Sequence, residues 1–166
     1  MAEVIAAIDY VLGFEDSTLS GRVTVDGGGR TRFGIAEKFH PWIAVIGFYT
    51  TMPKDEALGA ARLLYLVEYC LPLQIAALPD QDIANKLISL SATDGLTYPT
   101  KWLQEAVGAM PDGRIGPATL AVLGKADKKK ALDSLKEQAV AYYQDVARQH
   151  PEDAQYLRGW IARANA

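Results

Sequence analysis

Cysteine is nearly missing from this chain of 166 residues. Cys70 stands alone, so no internal disulfide can staple a small secreted scaffold. Histidine is equally scarce. His40 and His150 have no HExxH or Cys/His zinc spacing and no evident partner carboxylate or nucleophile, which argues against a metal centre and a His-assisted hydrolase. Positive charge is short as well: 17 Lys and Arg against 20 Asp and Glu leave a net −3, no general field for gripping nucleic acid. The longest apolar run, Trp42 to Tyr49, falls far below the roughly 20 residues of a membrane span. Glu3 stands where a signal peptide carries basic residues, and Asp9 interrupts the apolar stretch. The sequence therefore reads as a protein made in the cytoplasm without a leader.

What is present is a hydrophobic fraction of 49% and the length of one domain. Val4, Ile5, Ile8, Val11 and Leu12 predict a helix, with Glu15 at or just past its last turn. Residues 20–35, SGRVTVDGGGRTRFGI, change character and predict a small β-hairpin lobe. From Asp55 onward the pattern is helical almost throughout. Helices are expected from Asp55 to Pro72, over about 80–91, from Pro99 to Gly108, and between Gly116-Pro117 and Gly124. Leu132, Leu135, Ala139, Tyr142 and Val146 predict the seam of a long helix. A last helix starts at Glu152, with Leu157, Trp160 and Ile161 inward.

The expected fold class is α+β, predominantly α, in one domain over 1–166. Residues 1–95 form its candidate catalytic part and 96–166 a helical C-terminal part. Trp42, Phe48, Tyr49, Tyr98 and Trp102 read as core packing ahead of a sugar-stacking platform. Cys70 reads as an inert core thiol and Lys125–Lys130 as a solvated helix start.

Chemistry concentrates between Glu15 and Ile35. A carboxylate at a helix C-terminus faces the negative end of the macrodipole, which disfavours its ionised form and suits a general acid. Asp26 enters a turn of small residues, Gly27-Gly28-Gly29, where backbone can approach a ligand closely. Two carboxylates on facing elements are the equipment for cleaving a glycosidic bond, and Thr31 is placed to hold the attacking water. Each residue alone has a plainer reading. A Glu at a helix end is usually solvated, Asp-Gly is a common hairpin turn, and Asp16 is expected to cap the turn that follows it.

The stretch Glu15…Asp26-Gly27-Gly28-Gly29-Arg30-Thr31-Arg32-Phe33-Gly34-Ile35 resembles the E-G-G-Y…D-P-G-G-x-T-x-x-G-I signature of the glycoside hydrolase family 108 muramidases. Leu78-Pro79 followed by Ile83-Ala84 resembles the family's LP…IA segment. Leu103-Gln104…Asp112-Gly113-Arg114-Ile115-Gly116-Pro117-Ala118-Thr119-Leu120 resembles its LQ…DGxxGxxTL segment, a peptidoglycan-associated region, and Arg158-Gly159-Trp160-Ile161-Ala162-Arg163 resembles its closing GW..R. Asp16-Ser17-Thr18 replace Gly-Gly-Tyr, Gly27 replaces a proline, Ser89 stands where the family usually has an aspartate, and Cys70 where a tryptophan commonly follows Tyr69.

The resemblance implies a lysozyme-like fold and an N-acetylmuramidase, a glycosidase that degrades cell-wall peptidoglycan at the β-1,4 MurNAc–GlcNAc bond without metal or cofactor. It makes Glu15 the catalytic acid, with Asp26 and Thr31 as its partners and Gly28, Gly29, Arg30, Phe33 and Gly34 as candidate substrate contacts. A monomer is expected, either a bacteriolytic phage endolysin released through a holin or a hydrolase delivered by secretion machinery. It would act in the periplasm or wall. A lytic transglycosylase, a non-catalytic peptidoglycan-binding or lysis-accessory protein, and a toxin held by an immunity protein are the rivals.

Overall fold

The computed structural model describes residues 1–26 and 29–166, and of Asp26 the backbone alone. The carboxylate of Asp26, Gly27 and the candidate contact Gly28 thus lie outside the described residues. Helix α1 (Val4–Glu15) buries Ala7, Ile8, Val11 and Leu12, while Ile5, expected to face inward, is 58% exposed. Successive helical positions are about 100° apart, and the buried stripe excludes residue 5. Glu15 is the last helical residue.

In place of one hairpin there is a three-stranded antiparallel sheet: β1 (Thr24–Asp26), β2 (Gly29–Arg32) and β3 (Ile35–Ala36). Thr24 pairs with Thr31, and Arg32 with Ile35. The connection Phe33-Gly34 has positive φ at both residues, 52° and 76°, as a type I′ turn requires. Arg32 is buried and fixes this lobe to the helices. Its Nε donates to the Gly21 carbonyl at 2.8 Å, and Nη1 to the carbonyls of Phe48 and Met52 at 2.6 and 2.9 Å. Burial lowers its pKa.

Helix α2 (Pro41–Ala44) is one turn long, and α3 (Lys54–Tyr65) runs into a π-helical turn over Leu66–Cys70. Cys70 is buried, and burial pushes its thiol up to about 12, which makes it an inert core group. Helix α4 (Gln81–Asp94), capped by Asp80 accepting from the Ile83 N–H at 3.0 Å, extends three residues beyond the expected end. It forms the centre of the fold: Ile83, Ala84, Leu87, Ile88 and Leu90 are each fully buried.

Helix α5 (Thr97–Val107) begins before Pro99, which sits in its first turn where no N–H bond is lost. Helix α6 (Pro117–Lys125) and the long α7 (Lys128–Gln149) follow. The stripe α7 buries is Ala131, Leu135, Ala139 and Tyr143, while Leu132, Tyr142 and Val146 are only part-buried. Lys128 is not simply solvated, since its Nζ caps α6 through the carbonyls of Leu123 and Ala126 at 2.8 and 2.7 Å. The last segment opens as a 3-10 turn, Pro151–Tyr156, before α8 (Leu157–Asn165). Only Ala164 of α8 is buried, with Leu157, Trp160 and Ile161 part-buried.

The DGRIGPAT segment owes its shape to one side chain. Gln104, fully buried, donates through Nε2 to Asp112 Oδ1 at 2.7 Å and to the Arg114 carbonyl at 2.9 Å, and its Oε1 accepts from the Gly113 N–H at 2.9 Å. Thr119 Oγ1 closes the set at 3.1 Å. The LQ…DG…T spacing is thus a loop tied to a buried amide. We expect Gln104→Ala to cost about 2–4 kcal/mol in chemical denaturation, because it empties a fully buried site and breaks several loop hydrogen bonds at once. A loss below about 1 kcal/mol would show that the loop holds itself.

Candidate functional site

Glu15 ends α1 where the sheet lobe meets the helices. It lines two cavities. One, about 360 Å³, is walled on the lobe side by Thr18, Ser20, Arg22, Thr24, Thr31 and Phe33. The other, about 250 Å³, is walled on the helical side by His40, Tyr65, Tyr69, Thr93 and Arg163. Gly34 borders both, and its lack of a side chain is what admits the carboxyl. A Cβ there would lie 2.8 Å from Glu15 Cδ and 2.8 Å from the Tyr65 hydroxyl. The structure thus brings Glu15, Thr31, Phe33 and Gly34 together.

The carboxyl is held by a residue 148 positions away: Arg163 Nη1 on α8 donates to Glu15 Oε1 at 2.7 Å. Both side chains are about four-fifths buried, at 18% and 23% exposure. Arg163 is itself braced. Its Nε donates to Ser89 Oγ at 3.2 Å, its guanidinium lies 5.4 Å from the Phe14 ring centroid, and its backbone carbonyl accepts from Lys86 Nζ at 2.7 Å. Its Nη2 is buried with no partner among the described residues. The carboxyl at the end of α1 therefore meets a cation from α8 that the sequence pattern did not announce.

Around this pair the hydroxyls stay protonated. Tyr65, donating to the Phe33 carbonyl at 3.3 Å, has its pKa raised by burial and then by the charge of Glu15. Tyr69 is raised by burial, then by Glu68 and Glu15. Asp16 caps the following turn as expected, accepting from Gly21 N–H at 2.7 Å and Ser20 Oγ at 3.0 Å. Slight burial opposes these bonds but does not outweigh them, so its pKa is lowered.

Other candidates have different surroundings. Arg30 makes a two-point pair with Glu37, at 2.7 and 2.6 Å, and lines neither Glu15 cavity. Gly29 opens β2 opposite Asp26 in the ladder. His40 does have a carboxylate partner, contrary to the sequence reading: Nε2 lies 2.8 Å from Glu68 Oε2. Sequence separation hid that contact, 28 positions apart; His150 also has a carboxylate neighbour, Glu152, at 3.4 Å on the exposed surface. Phe48 and Tyr49 are core residues as expected, but Trp42 is 55% exposed and Tyr98 52%. Arg163 was visible only as the end of the GW..R stretch, with no role attached.

Residues 98–165 match a family model described as "Predicted Peptidoglycan domain". Among solved structures, that of Brucella abortus SagA aligns with 98% of this chain and 89% of its own, at a TM-score of 0.75 and 21% identity. The chain shares the SagA fold. No curated protein matches it. The matched segment covers less than half of the chain, yet it contributes Arg163 and so reaches the Glu15 carboxyl. The segment matched by that model and the candidate acid are in direct contact through this pair.

Two outcomes are expected. Gly34→Ala should displace Glu15, abolish any turnover that depends on it and destabilise the fold by about 1–3 kcal/mol, through the positive φ as well as the clash. Turnover at the parent rate would separate Gly34 from the site. Lys86, buried without a carboxylate partner among its described hydrogen bonds, has its pKa lowered by burial to about 8. Between about 8 and the ordinary 10.5 the unfolded chain holds a proton that the folded chain lacks, so this group adds stability as pH rises through that window. Relative to Lys86→Met, the parent should gain roughly 1–3 kcal/mol from pH 8 to 10.5, read by denaturation at each pH. A flat difference would refute the assignment.

Proposed function

We propose that the chain is a peptidoglycan hydrolase that cleaves the MurNAc–GlcNAc β-1,4 bond with Glu15 as general acid. The observation that carries this reading is the position of Glu15 on the wall shared by two cavities. A glycan strand lying across them would set its bridging oxygen beside this carboxyl, with one sugar on each side. The proton must come from Glu15, and the cavity wall opposite the leaving sugar carries Thr31 and its ladder partner Thr24. Thr31 is assigned the attacking water and Asp26 the second carboxylate, as the family resemblance implies. The peptidoglycan-domain match supports the substrate class, and the SagA likeness supports the fold.

A second reading, binding without turnover, is favoured by the ion pair itself. Arg163 at 2.7 Å occupies one oxygen of the carboxyl that a general acid must present to the bridging oxygen. Hydrolysis of purified peptidoglycan separates the two. We expect Glu15→Gln to lower the rate by at least about 10²-fold while wall binding in a pull-down is retained. Asp26→Asn should give a large but incomplete loss. A parent protein that binds but releases no muropeptides would establish the binding reading, and products ending in 1,6-anhydromuramic acid would establish a transglycosylase.

A further inference from the structure

One arginine at the Glu15 cleft has no partner in the fold. Arg22 is exposed and lines the lobe-side cavity together with Thr18, Ser20, Thr24 and Thr31. The turn that carries it is tightly built. Asp16 Oδ2 accepts from Ser20 Oγ at 3.0 Å and from the Gly21 N–H at 2.7 Å, and Ser20 Oγ accepts from the Arg22 N–H at 3.2 Å. These contacts hold the Arg22 backbone in place while leaving its guanidinium uncommitted.

Other arginines are engaged. Arg30, Arg62, Arg148 and Arg163 each hold a carboxylate at 2.6–2.8 Å, and Arg32 gathers three carbonyls. The Arg22 guanidinium makes no such contact among the described residues, and Arg114 and Arg158, in the same condition, line neither Glu15 cavity. Asp16 shares the wall with Arg22, but both its oxygens serve the turn, Oδ1 accepting from Thr18 Oγ1 at 3.3 Å. The helical-side cavity differs. Its Arg163 is engaged by Glu15 and Ser89 and its His40 by Glu68, and the hydroxyls of Tyr65, Tyr69 and Thr93 there carry no charge.

We propose that Arg22 is a specificity residue that binds the carboxylate borne by the muramic sugar, holding that sugar on the lobe side of Glu15. The proposal rests on the peptidoglycan reading given above for its substrate class. MurNAc differs from GlcNAc by a lactyl ether on O3, which ends in a carboxylate or in a stem peptide that bears carboxylates. GlcNAc carries no anion. A guanidinium grips a carboxylate through two parallel N–H bonds, so it separates the two sugars by charge and by shape. The muramic sugar then lies on the wall of Thr31 and the neutral sugar on the wall of Tyr69 and Thr93. That order makes GlcNAc the leaving sugar: the bond from MurNAc C1 to GlcNAc O4 breaks and the Glu15 proton goes to O4. Water gives its hydroxyl to C1 and its proton to the second carboxylate.

Calorimetric titration of the full-length Glu15→Gln chain, in which no strand is cut, tests this with and without Arg22→Gln. The probes are soluble glycan strands with stems intact and strands stripped of stems by an amidase, each also after its carboxylates are converted to amides. We expect Arg22→Gln to weaken binding of carboxylate-bearing strands by about 10–50-fold and of amidated strands by less than about 2-fold. Loss on stripped strands assigns the contact to the lactyl carboxylate, and loss confined to intact strands assigns it to the stem. Arg22→Lys should recover part of the affinity, since it restores charge without the two-point fork. With Glu15 intact, initial rates should show the same change in KM and little in kcat. Unchanged binding in Arg22→Gln overturns the proposal, and so does equal weakening of carboxylate and amidated strands or an effect on kcat alone. Arg22-dependent binding with no cleavage by the parent supports this contact and sinks the hydrolase reading.

Discussion

The ion pair between Glu15 and Arg163 closes this molecule. It joins the end of the first helix to the last turn of the final one, across a 2.7 Å contact between residues 148 positions apart. Helix α4 supplies two of the braces, Ser89 to the guanidinium and Lys86 to the backbone carbonyl, and Phe14 of α1 packs beside the charge. Deleting one partner of a pair buried this far leaves an uncompensated charge, a loss of about 3–5 kcal/mol in comparable sites. The geometry of the candidate site and the docking of α8 are therefore a single constraint.

That constraint sets the chemistry's central tension. The carboxyl that a general acid would present to a substrate is the one that holds α8 in place through Arg163. Arg163 uses one nitrogen on the carboxylate and one on Ser89, and its third lies buried without a partner among the described residues. Ser89 accepts its hydrogen bond without carrying a charge of its own, so Glu15 is the carboxylate that faces this guanidinium among the described residues.

Much of the architecture could be read from residue pattern alone. The helices begin and end near Pro, Gly and Asp positions, and the break in pattern at residues 20–35 locates the sheet lobe. Glu15, Phe33 and Gly34 also fall where motif spacing puts them, since a helix end and a type I′ turn are local features. Pattern fails where contact is long-range. Nothing near Arg163 announces a partner 148 residues away, and nothing near His40 points to Glu68. Pattern also fails where hydrophobicity is taken to mean burial: Ile5 and Trp42 are apolar and exposed because the stripe or turn that carries them faces outward.

The scarcity of cysteine finds its structural counterpart in buried polar hubs. Arg32 gathers carbonyls from Gly21, Phe48 and Met52, Gln104 gathers the loop around Gly113, and Lys86 holds the carbonyl of Arg163. Each does with directional hydrogen bonds what a covalent staple would do for a loop, and each costs desolvation unless its partners are all present. Two of these hubs, Arg32 and Lys86, act on the parts that shape the Glu15 cavities: the sheet lobe on one side and the Arg163 turn on the other. The two walls of the Glu15 cavities are therefore anchored from beneath by directional polar contacts as well as by packing.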